Sequence, residues 1–333
     1  MDRRGRRLLA PPMTERPILL VGSPRGGTTL LRDLLRSHPR LTFPPESNVL
    51  PELHRLHGDP ATVRRGRLLA ADLLRSFSIR AWGLELTIEE LAEERTFAAM
   101  VERLYGAWAA REGKARWGDK TPLHALELPA ALAIFPRAQV VHLVRDGRDV
   151  TASLLRQPWG PACAAGAARL WRRCVDAAQR DGAALGKDGY HEVRFEDLVA
   201  EPEPVLGKLC AFLGEEYDPG LLAPSRIPAP AGLRQPWPAR QEQAIDGGTV
   251  GRWRGELSPV QLAAVEAEAG PALRRLGYGG DSPEPGLRER GCRARGAART
   301  VRWRATTWDR LPRAETALRL ARARVLHRLG LIG

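Results

Sequence analysis

The run Gly22-Ser23-Pro24-Arg25-Gly26-Gly27-Thr28-Thr29 has the residue types and spacing to hold an anion between a strand and a helix. Its glycines let the turn close tightly and bring its N–H groups together. A helix opening at Thr28 and Thr29 adds unsatisfied first-turn amides and the positive end of its dipole, so a phosphate there gains hydrogen bonds and favourable charge together. The spacing Gly22-x4-Gly27 is that of a P-loop, but Thr28 stands where the Lys is expected and the loop's own cation is Arg25. That shift moves positive charge away from a β/γ-phosphate and disfavours an ordinary ATP or GTP hydrolase. A second anion site follows an apolar run, in AQVVHLVRDGRDVTASLL from Ala138 to Leu155. With a helix beginning near Gly147, Arg145 sits at its mouth and Ser153 lies about two turns in, so both could reach one dianionic phosphate beyond the carboxyl ends of the strands. Two anion sites on one sheet suggest a nucleotide with phosphates at both ends.

Short apolar strands alternating with helical stretches must position these groups. The pattern predicts strands over 17–22, 41–43, 138–144 and 190–195, with helices over 28–37, 47–57, 60–76, 87–112, 122–134, 147–156, 161–185 and 203–213. Thr87 and Glu90 form a capping box at the start of 87–112. A last helix is capped by Ser258 and Pro259 and closed by Gly277. This order predicts an α/β fold, a P-loop-like parallel sheet flanked by helices on both faces, followed by a basic C-terminal helical tail.

The residues resemble the sulfotransferases that use 3′-phosphoadenosine-5′-phosphosulfate (PAPS), in the bacterial branch similar to the tyrosylprotein and carbohydrate enzymes. SPRGGTTLL is similar to that family's loop for the 5′-phosphosulfate, and LVRDGRDVTASLL to its 3′-phosphate element, with Arg145 and Ser153 at the matching positions. WGDKTPLH, Trp117 to His124, resembles its Lys-containing segment. VGRWRGEL, with Gly251, Arg252 and Trp253, resembles the late loop that closes over the 3′-phosphate. The four matches run in order along residues 17 to about 279. The resemblance implies PAPS as co-substrate, PAP as product, no metal, and a hydroxyl-bearing acceptor drawn from small molecules, carbohydrates, lipids or natural products. It also implies roles. Glu46, twenty-one residues after Arg25, stands where tyrosylprotein-type enzymes place a catalytic Glu and would be the general base. Lys120 would sit on the transferring sulfuryl oxygens and Arg25 near the bridging oxygen.

Glu46 also reads as a helix N-terminal carboxylate after Pro44 and Pro45. His38, His54, His124 and His142 are rival bases; His142 lies in an apolar strand as core histidines do, and His38 sits at a helix end. Only four of the 52 basic residues are lysines, which makes Lys120 inside a motif conspicuous. The inserts 47–116 and 157–188, with Trp82, Trp108, Trp159 and Trp171, are left for the acceptor pocket, although core packing is the commoner role for any one Trp.

With 333 residues and 43% hydrophobic content the chain can bury a sizeable core. The sequence divides into a basic arm (1–16), a catalytic domain (17–280) and a basic, partly amphipathic tail (281–333). Six prolines and several glycines in 218–249 mark a lid loop. The tail's 13 Arg against 5 acids give 13 − 5 = +8 of the chain's +13. Its end could lie on an anionic membrane surface or grip a partner, or be a solvated helix in an Arg-biased proteome; no nucleic-acid motif is present. Neither a secretory signal nor a spanning helix is credible, and four scattered cysteines fit a cytoplasmic setting, with peripheral membrane contact through the tail as the next reading. Two other classes stay open: a P-loop-type kinase or nucleotide hydrolase, disfavoured by Thr28, and a non-catalytic nucleotide-binding or membrane-attached protein, disfavoured by Glu46 and Lys120.

Overall fold

The computed structural model describes residues 16–48, 50–223 and 247–279. All of the predicted arm but Arg16, most of the lid and the tail lie outside them. The elements are β1 (Ile18–Gly22), α1 (Thr28–Ser37), β2 (Leu41–Thr42), α2 (Leu50–His57), α3 (Val63–Arg75), α4 (Phe77–Arg80), α5 (Ile88–Ala92), α6 (Phe97–Glu112) and β3 (Arg116–Lys120). A 3-10 turn (Pro122–Leu126) leads to α7 (Leu128–Ile134), β4 (Gln139–Val144), α8 (Gly147–Leu155), α9 (Ala164–Ala183), α10 (Gly186–Gly189), β5 (Tyr190–Arg194), α11 (Phe195–Ala200) and α12 (Pro202–Leu213). After further 3-10 turns at Pro219–Leu222 and Gly247–Thr249 come α13 (Trp253–Glu256) and α14 (Pro259–Arg275). The described residues form two compact units, 16–144 with 177–223 and 247, and 145–176 with 248–279.

The first unit holds a five-stranded sheet in the order β2-β3-β1-β4-β5, every pair parallel. Register sorts the side chains, because Leu20 lies beside Lys120 and Val141 whereas Leu19 lies beside Asp119 and Val140. Ile18, Leu20, Val141, Leu143 and Val193 face one way and pack with Leu31, Leu34 and Leu35 of α1 and Leu206, Leu209 and Leu213 of α12. Leu31, Leu34 and Leu35 recur at helical spacing and are fully buried; each such leucine contributes about 1.5–3 kcal/mol. On the other face Tyr105 of α6 stacks on Trp117 at 4.2 Å, and Phe135 meets Trp117 edge-on. The sheet is thus covered on both sides, as a parallel sheet requires.

The predicted helix 87–112 is two helices. Thr87 does form a capping box with Glu90, but Thr96 caps a second start by accepting from Ala99 N–H. Strand β3 is an addition to the predicted strands; only Trp117 in Arg116–Lys120 is apolar.

In the second unit α8 packs against α14. Gly147 lies under the Trp171 ring, where a Cβ would fall 2.6 Å from it, and the Trp171 Nε1–H donates to Arg145 O at 2.9 Å. Arg169 pairs with Glu268 and Arg275 with Asp176, tying α9 to α14. Among the described residues no helix is long and apolar enough to cross a membrane.

Candidate active site

The predicted phosphate loop begins with a turn in which Gly26 N–H donates to Ser23 O at 3.0 Å. Pro24 takes its second position and Arg25 its third, at φ +66, a place usually given to Gly or Asn. Arg25 is exposed at this apex, whereas Ser23 and Thr28 are buried. Gly27 caps α1 at φ +98 and offers no side chain to the helix amides. A Cβ on Gly27 would lie 2.4 Å from the Phe195 ring, and one on Gly22 would lie 2.6 Å from Leu143 O. The loop is therefore a backbone cradle closed from below by the sheet and by Phe195.

Lys120 ends β3 with 3% exposure, and its Nζ donates to Glu46 Oε1 at 2.5 Å and to Thr29 Oγ1 at 3.5 Å. Residues 74 positions apart thus meet at the start of the P-loop helix. Burial pushes the Lys120 ammonium below its ordinary value, while the Glu46 charge pushes back. Glu46 keeps a third of its side chain exposed, so it is open to a reactant as well as to Lys120.

Next to this pair lies a cluster around Asp119, a residue to which the sequence assigns no role. Ser47 Oγ donates to Asp119 Oδ2 at 2.8 Å, and Ser47 N–H to Thr121 Oγ1 at 3.3 Å. The Tyr105 hydroxyl also donates to Asp119 Oδ2, and His124 Nδ1 lies 3.1 Å from Oδ1 as a close contact rather than an aligned hydrogen bond. Burial by itself would raise the Asp119 carboxyl, but His124 beside it and the donors Tyr105 and Ser47 outweigh burial and bring it down to about 2. A carboxyl held below its unfolded value stabilises the fold fully above that value, and the contribution is lost as pH falls through the folded one. We expect this group to remove on the order of 2 kcal/mol of stability between about pH 5 and pH 2. Asp119→Asn, though less stable throughout, should lack that component; denaturant melts across this range check it, and identical pH slopes for both proteins would remove Asp119 from the account.

The rival histidines are mostly engaged elsewhere. His38 bonds Glu216 O through Nε2 and accepts Arg40 N–H on Nδ1. His142 is buried between the Tyr190 hydroxyl and Glu192. His54 lies against the Phe97 ring.

In the second unit, Arg145 donates from Nη2 to Thr249 O at 2.5 Å, and Ser153 lies 8% exposed on α8. Arg252 Nε donates to Gly248 O at 2.8 Å. The guanidinium groups of Arg148 and Arg254 lie over the Trp253 ring, 4.2 Å and 4.6 Å from its centre. Its Nε1–H is buried with no hydrogen-bond partner among the described residues, which leaves a donor for an acceptor group. Gly251 and Trp253 donate their backbone N–H groups to Asp149, another residue given no role by the sequence.

Three of the tryptophans left for an acceptor pocket are fully buried instead. Trp82 donates to Pro45 O and meets Tyr105 and Trp108, Trp108 donates to Thr42 Oγ1, and Trp171 holds Arg145. Their N–H groups and ring faces are used in the core.

The chain is 28% identical over 328 residues to the nodulation protein NoeE of Sinorhizobium fredii, covering 89% of this chain and 74% of that protein. It is 24% identical to a protein-tyrosine sulfotransferase of Drosophila melanogaster, covering 79% of this chain but only 52% of that one. The solved sulfotransferase domain of the Synechococcus PCC 7002 olefin synthase aligns at 26% identity and a TM-score of 0.53, over 79% of this chain and 98% of that domain. The model of the sulfotransferase family matches residues 17–219, more than half of the sequence, and the chain belongs to that family.

Proposed function

We propose that this sulfotransferase takes the sulfuryl group of PAPS and passes it to a hydroxyl of a small molecule, carbohydrate, lipid or natural product, with Glu46 as general base. The contact of Lys120 with both Glu46 and Thr29 carries the reading, since it joins a proton acceptor, a buried cation and the phosphate loop. When bound, the nucleotide supplies a sulfuryl group already activated by its linkage to phosphate. The uncapped α1 amides and residues Ser23 to Thr29 fit its 5′ end, and the orphaned Trp253 Nε1–H with Arg145, Ser153, Gly251 and Arg252 fit a 3′-phosphate.

Glu46 takes the acceptor's proton, while Lys120 and Arg25 supply positive charge where oxygen gathers negative charge. Lys120's charge acts in a desolvated setting, where electrostatic help is worth most. Phosphoryl transfer is the chemical analogue, a reaction in which alignment and preorganised charge dominate.

Calorimetric titration with PAP, AMP and ATP tests the donor. PAP should bind tightest, and Arg145→Ala should weaken PAP by about 10²-fold, as expected for a lost charge-assisted phosphate contact, while AMP changes little. Equal losses for PAP and AMP, or a preference for ATP, would overturn the assignment.

A further inference from the structure

Asp149 is an anion set among the cations proposed for a phosphate. It is the third residue of α8, 3% exposed, and each carboxylate oxygen accepts one backbone N–H: Oδ2 from Gly251 at 2.8 Å and Oδ1 from Trp253 at 2.9 Å. Gly251 lies at φ +73 and Arg252 at φ −57, ψ −27, a left-handed residue followed by a right-handed one. That succession turns neighbouring amides inward as an anion-binding nest, and the anion it holds is Asp149. Arg145, 3.9 Å from Asp149, donates to Thr249 O in the same segment. Arg148, fixed by Asp146 and by Tyr278 O, lies over the Trp253 ring.

By charge alone a carboxylate here opposes phosphate binding. Its oxygens are committed to Gly251 and Trp253, so what it contributes is the place of that segment relative to α8. We propose that Asp149 is a positioning residue for recognition of the 3′-phosphate, touching no ligand itself and clasping the Gly251–Trp253 segment to the helix that carries Ser153. The inference rests on the proposed PAPS reading and deepens it.

The two views of Asp149 predict opposite signs. Asp149→Asn keeps the shape, removes the charge and turns an amide N–H₂ toward one of the two donors. If Asp149 acted only through charge, the variant would bind PAP more tightly. Positioning predicts weaker PAP binding, by about tenfold or more, the scale of one lost charge-assisted hydrogen bond. AMP, identical but for the missing 3′-phosphate, should change by less than about threefold, since it makes no use of that segment. Turnover should show KM for PAPS rising with kcat held within about twofold, the pattern of lost binding that is equal in ground and transition states.

Should Asp149→Asn fail to fold, Gly251→Ala tests the same clasp from the other side, because a Cβ at that positive φ strains the nest. It should give the same loss of PAP without loss of AMP. Calorimetry on the full chain decides. PAP binding unchanged or tightened in either folded variant overturns the clasp while leaving the donor assignment intact. A wild-type protein that binds PAP no better than AMP removes the PAPS reading, and the clasp with it.

Discussion

Glu46→Gln is expected to lower turnover by on the order of 10²–10⁴-fold, the contribution of a placed general base, while PAP affinity stays within about threefold. Gln keeps the length of Glu, and its Oε1 can still accept from Lys120 Nζ, so the 2.5 Å contact is replaced by a weaker one rather than by a gap. What disappears is the proton acceptor. The cost in stability should be modest, because Glu46 is a third exposed and the amide oxygen still accepts from Lys120. Steady-state turnover of PAPS set beside PAP calorimetry separates the two effects. Unchanged turnover would shift the base to a histidine, and the engagement of His38 and His142 would leave His54 and His124.

Gly27→Ala should be the most damaging single-methyl change in the phosphate loop. An alanine at φ +98 meets the backbone penalty of about 1–2 kcal/mol for a left-handed conformation. Its Cβ would also drive into the Phe195 ring, whose own place is fixed by the core around Leu206 and Leu209, and overpacking of that kind costs about 1–3 kcal/mol. The loop yields more readily than the core, so the amides move. A displacement near 1 Å suffices for roughly a 10²-fold loss, and we expect PAP affinity to fall by at least that much with a lower melting temperature. Phe195→Leu in the same chain should recover part of the loss, since it relieves the clash but not the backbone strain. Full PAP affinity in Gly27→Ala would show that the cradle tolerates a side chain.

Much of this architecture is legible in the sequence where the signal is local. Ile18 to Val21 followed by a glycine turn, and Val140 to Val144 followed by Arg-Asp-Gly-Arg-Asp, announce β1 with α1 and β4 with α8 because apolar strand, turn and helix are contiguous. Strand β3 is not legible, since a buried strand normally reads as an apolar run and Arg-Trp-Gly-Asp-Lys does not. It is buried because each polar residue has a remote partner: Arg116 bonds Glu215 and Gln139, Asp119 bonds Tyr105 and Ser47, and Lys120 bonds Glu46. Gly118 completes the arrangement by leaving room for Phe43. The break at Thr96 is hidden for a different reason. Its cap lacks the Glu three residues on that makes a box recognisable, and Asp59 Oδ1 accepts the Phe97 N–H from afar. The roles of Asp119 and Asp149 depend on pairings such as Asp149 with Gly251, about a hundred positions away, which one sequence without a fold does not reveal.

Alternation along β3 turns Lys120 toward α1 and Asp119 toward α6, so the cation and the residue that anchors its strand occupy opposite sides of one sheet. That bears on transplanting the helical insert. Exchanging residues 50–112 for those of a relative also removes Tyr105. A graft carrying Phe at that position would leave Asp119 with one donor fewer and loosen the strand end one residue before Lys120. Asp119 thus draws one of its donors from α6, and a graft that replaces that helix must bring its hydroxyl with it.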